Sequence, residues 1–117
     1  MYGDSIITNT GDISVTAYYD STGLFATSYA GDSNISNEAN VSVISYSGIA
    51  YGVYASAHQA SAFIGNGGDV DAYSYASDAS ALVAVALDSA FVYSDGSLSA
   101  YSVNGDAIGI VAVAENN

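Results

Sequence analysis

The residues best equipped for chemistry in this chain lie between Gly65 and Asp71. The run Gly65-Asn66-Gly67-Gly68-Asp69-Val70-Asp71 brings two carboxylates and an amide oxygen close together. Oxygen donors of this kind suit a hard cation, so a weak surface calcium position at Asp69 and Asp71 is one expectation. Ions held between stacked turns need ligands that recur turn after turn. The counterparts one period earlier, Asn40 and Ser42, carry no charge. The run therefore reads first as a tight turn with a solvated acid, and no resident cofactor is expected.

His58 is the only histidine, in the loop Ala57-His58-Gln59. Serines and aspartates are plentiful, so a Ser-His-Asp relay is arithmetically available. No Gly-x-Ser-x-Gly elbow is present to present a serine. No cationic side chain exists to stabilise an oxyanion, which leaves only backbone donors. Paired carboxylates for glycoside hydrolysis would need a walled cleft, which a uniform repeat does not supply. The expectation is a non-catalytic protein with His58 exposed in a loop.

Tyrosine offers contact chemistry instead. One column of repeat-related residues reads Tyr18, Tyr46, Tyr75, Val103, and the column beside it reads Thr16, Ile44, Tyr73, Tyr101. Stacked outward, these residues form an aromatic face for glycan, protein or self contact. Like residues also stack well in ladders for purely structural reasons. The expected contact face is Tyr18, Tyr46, Tyr75, Tyr73 and Tyr101.

Composition narrows the partners. The chain has 117 residues, 12 of them acidic and none Lys or Arg, for a net charge of −12. Nucleic acid is excluded as a partner, because phosphate binding depends on Lys and Arg. Docking on an anionic membrane is excluded for the same reason. The longest apolar run, Ala81 to Leu87, is too short for a membrane-spanning helix. Cysteine is absent, so disulfides and thiolate metal sites are impossible. Half the residues are hydrophobic and regularly patterned, which argues for a packed core. Met1 runs directly into repeat-like sequence, which suggests a mature form or a segment of a longer protein.

The elements that would position these residues follow from an internal repeat. Ile7, Ile35, Ile64 and Val92 stand 28, 29 and 28 residues apart. Six residues after each come Ile13, Val41, Val70 and Leu98, and twelve further on come Phe25, Val53, Leu82 and Ile110. Around each anchor apolar and polar residues alternate with period two, which marks strands. The spacing predicts a short strand at the first anchor and longer ones at the second and third. It places the one extra residue between Val53 and Ile64, in the loop of His58. Small inward residues (Ala17, Ser45, Ala55, Ala84, Ala112) fit beside the large anchors in a narrow coil. Only Ala76 to Leu87 invites a helical reading, and its Val83/Val85 alternation favours strand.

Three strands per period, each matching its counterpart one period later, describe an all-β parallel β-solenoid. Residues 1–117 form one domain of four coils, about 5–32, 33–60, 61–88 and 89–117. Coils about 4.8 Å apart make a body about 19 Å tall. Asn9, Asn37, Asn66 and Ser94 fall where the chain bends, and a stacked ladder of them would stabilise the turns. Left-handed backbone is expected there, with Gly11, Gly68 and Gly96 supplying positive φ and Ala39 the exception. The next column, Asp12, Asn40, Asp69, Ser97, keeps like charges apart.

Units such as Ile7-Thr-Asn9-Thr-Gly11-Asp12-Ile13-Ser-Val15-Thr-Ala17 and Ala50-Tyr-Gly-Val-Tyr-Ala55 carry a family likeness. With the looser Ala107 to Ala112, they make the chain resemble the β-helical passenger regions of bacterial autotransporters. That resemblance implies a right-handed parallel β-helix at the cell surface, outside the cell, serving as stalk or adhesin. It implies no catalytic residue. Such proteins also carry a signal peptide and a C-terminal membrane barrel, neither of which this sequence contains. The second expectation is a subunit of an extracellular filament, self-associating through open solenoid ends.

Overall fold

Ile7 lies beside Ile35, Ile35 beside Ile64, and Ile64 beside Val92, each pair in parallel register one coil apart. These contacts come from a computed structural model that describes residues 3–115. The outermost positions of the expected domain, 1–2 and 116–117, lie outside the described residues. The first coil holds β1 (Ser5–Asn9), β2 (Ile13–Ala17) and β3 (Ser21–Ser28). The second holds β4 (Ser33–Asn37), β5 (Val41–Ser45) and β6 (Ala50–Ala57). The third holds β7 (Ala62–Asn66), β8 (Val70–Ser74) and β9 (Ala79–Ala86), and the fourth β10 (Ala90–Ser94), β11 (Leu98–Ser102) and β12 (Ala107–Ala114).

Every strand pairs with its counterpart in the adjacent coil. Three four-stranded parallel sheets result: β1-β4-β7-β10, β2-β5-β8-β11 and β3-β6-β9-β12. The fold is the all-β parallel solenoid of four coils that the repeat predicts. The coils begin at Ser5, Ser33, Ala62 and Ala90, so expected starts at 61 and 89 fall one residue early, in the preceding turns. Ala79–Ala86 is strand, as its alternation requires.

The core is the inward column of each sheet. Val41, Val43, Val53, Val70 and Leu82 of the two middle coils are fully buried. Each contributes about 1.5–3 kcal/mol by leaving water. The small residues Ala55 and Ala84 are buried beside them, as the narrow coil demands. The end coils differ. Ile7, Ile13 and Val15 below, and Val92, Leu98 and Ala100 above, are only partly buried. Ile110 is 48% exposed although Val53 and Leu82 in its column are at 0%.

Expectations of three kinds are corrected, on register and turn length, on strand length and on backbone conformation. The inward partner of Val53 is Leu24, not Phe25. Leu24 is 8% exposed and Phe25 is 53% exposed, its ring lying outside on Tyr54. The reason is a shorter first turn: 18–20 has three residues where 46–49 has four, so the step from Ile13 to Leu24 is eleven. The extra residue is likewise not in the loop of His58, because 58–61 matches 29–32 in length, and 87–89 is the turn that is shorter. Second, the strands at the second anchor are as short as those at the first, five residues against eight in the third sheet.

Third, no glycine or other described residue has a positive φ. Gly68 and Gly96 are needed for closeness instead: a Cβ on either would strike the carbonyl of Ala39 or Gly68 in the coil beneath. A similar demand acts inside the long strands. Gly23, Gly52, Ala81 and Gly109 drop out of the paired register, and the inward phase slips by one residue there. A Cβ on Gly52 would meet Val70 Cγ1 and the Ala81 carbonyl; on Gly23 it would meet Val41 Cγ1 and the Gly52 carbonyl. The stacked kink lets the long sheet close onto the other two.

Candidate functional site

The polar residues divide into those that build the corners and those that face outward. At the corner after the first sheet, Asn9 Nδ2 donates to Asn37 Oδ1 at 2.8 Å, and Asn37 Nδ2 to Asn66 Oδ1 at 2.7 Å. Asn66 Nδ2 then donates to Ser94 Oγ at 3.1 Å. The second amide hydrogen of each Asn goes to the carbonyl two residues on, at 2.6 Å in Asn9, Asn37 and Asn66. Asn37 and Asn66 point inward and are buried. The expected ladder is present, formed by side chains at strand ends and not by left-handed backbone.

Carboxylates run along the same edges. Asp12 Oδ1 accepts the amide of Asn40 at 3.0 Å, Asn40 Oδ1 that of Asp69 at 3.0 Å, and Asp69 Oδ1 that of Ser97 at 2.9 Å. The other two corners repeat the device. Asp4 accepts from Asp32, Asp32 from Ser61, Asp20 from Ile49 and Asp78 from Asp106. Two of these corners do stack like charges, Asp4 on Asp32 and Asp78 on Asp106. Asp4, Asp32 and Asp78 each accept an amide one coil up, and such charge-assisted bonds offset the repulsion. Sequence reasoning missed these two corners, although the dipeptide Gly-Asp marks them at Gly3-Asp4, Gly31-Asp32 and Gly105-Asp106.

Serine completes the corners. Ser45, Ser74 and Ser102 accept the amides of Gly48, Ser77 and Gly105 and donate to the carbonyls of Tyr19, Gly48 and Ser77 in the coil beneath. Among the described residues no buried side-chain polar atom lacks a hydrogen-bond partner.

A shallow groove of about 300 Å³ crosses the second sheet between Asp12, Asn40, Asp69 and Asp71. Asp71 stands on β8 between Ser42 and Ser99, and Asp69 is occupied with the Ser97 amide. Among the described residues no three His, Cys, Asp or Glu side chains gather as a metal centre would require. His58 lies with its ring on Tyr29, 5.6 Å between centroids and 24° between planes. It borders a hollow of about 130 Å³ with Ser56, Leu87 and Glu115.

The tyrosine columns face outward as predicted and meet one another. Tyr46 and Tyr75 stack at 5.2 Å and 9°, and Tyr73 and Tyr101 at 5.0 Å and 17°. Tyr73 joins the two columns edge-on to Tyr75 at 4.7 Å. Tyr18 turns its edge to Tyr19 at 5.1 Å. The array comprises Tyr73 on β8, Tyr101 on β11, and Tyr46 and Tyr75 in the turns that follow β5 and β8. Lost solvation raises the Tyr73 phenol above its usual pKa, and the neighbouring Tyr75 and Tyr101 add to the effect. Other aromatic pairs lie apart from this array: Phe25 on Tyr54, and Phe63 on Phe91 at 5.3 Å and 3°.

No protein-family model, curated protein or solved structure matches the chain.

Proposed function

We propose that this chain is a structural, non-catalytic segment of an extracellular bacterial surface protein of the autotransporter type, which extends from the cell and adheres through its tyrosine face. The observation that supports this reading is a division of labour among polar groups. Among the described residues no buried side-chain polar atom lacks a partner, and the Asn, Asp and Ser side chains at the corners bind from coil to coil. The surface that stands out is the interlocked array Tyr46, Tyr73, Tyr75 and Tyr101. Such rings present large, rigid contact area at small entropic cost. An acidic, cysteine-free chain without trypsin-type cleavage points suits life outside the cell.

The test is adhesion of the immobilised chain to host cells and to a glycan array. Binding should fall at least tenfold when Tyr73, Tyr75 and Tyr101 are changed together to Ser. Undiminished binding by that variant would remove the tyrosine face from the reading. A second reading, a filament subunit, is favoured by the exposure of Ile110 and its neighbours at an open end. Parallel solenoids with uncovered ends offer unpaired strand edges to another chain.

A further inference from the structure

We infer that the cover of each open end is a second copy of this chain, seated head to tail so that β10, β11 and β12 of one copy pair with β1, β2 and β3 of the next. The inference rests on the filament reading and adds its polarity and register.

The lower end carries a residue that its own chain does not require. In the corner column Gly11, Ala39, Gly68, Gly96, a Cβ on Gly68 would strike the Ala39 carbonyl, and one on Gly96 the Gly68 carbonyl. Gly11 has the same place in the lowest coil, where a Cβ would meet nothing within 4 Å. Its φ is not positive, so backbone conformation does not call for glycine either. A coil seated beneath would supply the missing reason. In the continued register, the Gly96 carbonyl of the copy below lies against Gly11.

The hydrogen-bond ladders have a direction, and the two ends complement each other along it. Asparagine amides donate upward, coil to coil, until the ladder ends on Ser94. Asn9 Oδ1, at the bottom, accepts only the distant amide of Gly11 at 3.4 Å. Stacking brings the Ser94 hydroxyl beneath Asn9 Oδ1, and its hydrogen, held by the Gly96 carbonyl at a long 3.3 Å, would turn to that acceptor. Asp106 takes the place under Asp20 of the next copy, as Asp78 lies under Asp106 within the chain. Its carboxylate would accept the Asp20 amide there. The exposed Ile110 would come under Leu24, continuing the Leu24, Val53, Leu82 column. An inverted copy would set like against like: Asn9 Oδ1 acceptors at a bottom-to-bottom junction, Asp106 carboxylates at a top-to-top one.

Charge opposes the junction. Each copy carries −12 with no Lys or Arg, so stacking should need salt. At about 1 M salt the screening length falls to about 3 Å.

The experiment follows the purified full chain by light scattering and electron microscopy as salt is raised to about 1 M. The wild type should form unbranched filaments. Gly11→Val should fold as the wild type does by circular dichroism and remain monomeric. A β-branched residue is chosen because Ala39 shows that the column accepts a methyl. Gly65→Val, placed on a lateral face where a Cβ also meets nothing within 4 Å, should assemble normally. The Gly11→Val chain keeps an intact upper end, so at one part in ten it should cap growth and shorten wild-type filaments several-fold. A wild type that stays monomeric at every salt concentration would sink the filament reading and this inference with it. Filaments that form equally from Gly11→Val, with no capping, would overturn the head-to-tail register and leave the filament reading standing.

Discussion

Asn37 gives one amide hydrogen to Asn66 Oδ1 at 2.7 Å and the other to the Ala39 carbonyl at 2.6 Å, while only 1% exposed. It also accepts from Asn9, so one side chain ties three coils. Asn37→Ala strands its partners in the interior, at about 1–3 kcal/mol for each buried group left unpaired. Asn9→Ala, at the half-exposed lower end, should cost less than half as much. Urea unfolding midpoints of the two variants make the comparison, and equal losses would refute the ladder as a source of stability.

Glycines separate by what lies over them. Gly52→Ala drives a methyl into Val70 Cγ1 and the Ala81 carbonyl and should cost about 1–3 kcal/mol through overpacking. Gly65→Ala meets empty space without positive φ and should be neutral or stabilising by about 0.5 kcal/mol. Thermal melting distinguishes the two in a single series.

The neighbours Leu24 and Phe25 provide a check on register. Leu24→Ala should cost about 2–3 kcal/mol, since it empties a core column. Phe25→Ala loses a surface stack on Tyr54 and should cost about 1 kcal/mol. The reverse order would mean that Phe25 occupies the core.

High pH should weaken the fold. The Tyr51 phenol is raised above its ordinary value of 10.0, first by burial and then by Tyr54, Asp20 and Asp78. Tyr73 is raised by lost solvation, and Tyr93 by its hydrogen bond to Asp95 at 2.8 Å. With folded pKa values above the unfolded one, the native state holds protons that the unfolded chain releases. Their contribution is full below pH 10.0 and is lost as pH climbs through the raised folded values. Urea midpoints should therefore hold steady up to that point and fall beyond it. Asp95→Asn should lower the Tyr93 titration, seen as earlier phenolate absorbance, without moving Tyr73.

Much of the candidate surface was legible because outward residues on a solenoid keep their column. Tyr46 and Tyr75 are 29 residues apart, and that spacing alone places them together. The edge contact of Tyr73 with Tyr75 was not legible, since they are neighbours on one strand end and the turn geometry decides whether their rings meet. Gly-Asp at one corner was read and at the other two was not, because the other corners lack a strict apolar residue directly after the acid at every repeat. Ser45 reads as a small filler, and nothing in a one-letter pattern distinguishes a filler from a hydroxyl that bonds across coils, as Ser45 and its counterparts Ser74 and Ser102 do.

The sequence by itself determined the number of coils, the three strands in each, their parallel pairing and the Asn ladder. All of these follow from like residues recurring at a near-constant period, where stacking places each residue on its equivalent. Tertiary structure alone decided that Leu24 and not Phe25 is inside, that Gly52 is kept by the closeness of Val70, and that the acids bridge coils. These depend on distances between coils and on a one-residue slip inside a strand, which periodicity averages away. The corner glycines belong to the second group as well: only stacking the coils reveals that a Cβ on Gly68 or Gly96 strikes the coil beneath while one on Gly11 meets nothing within 4 Å.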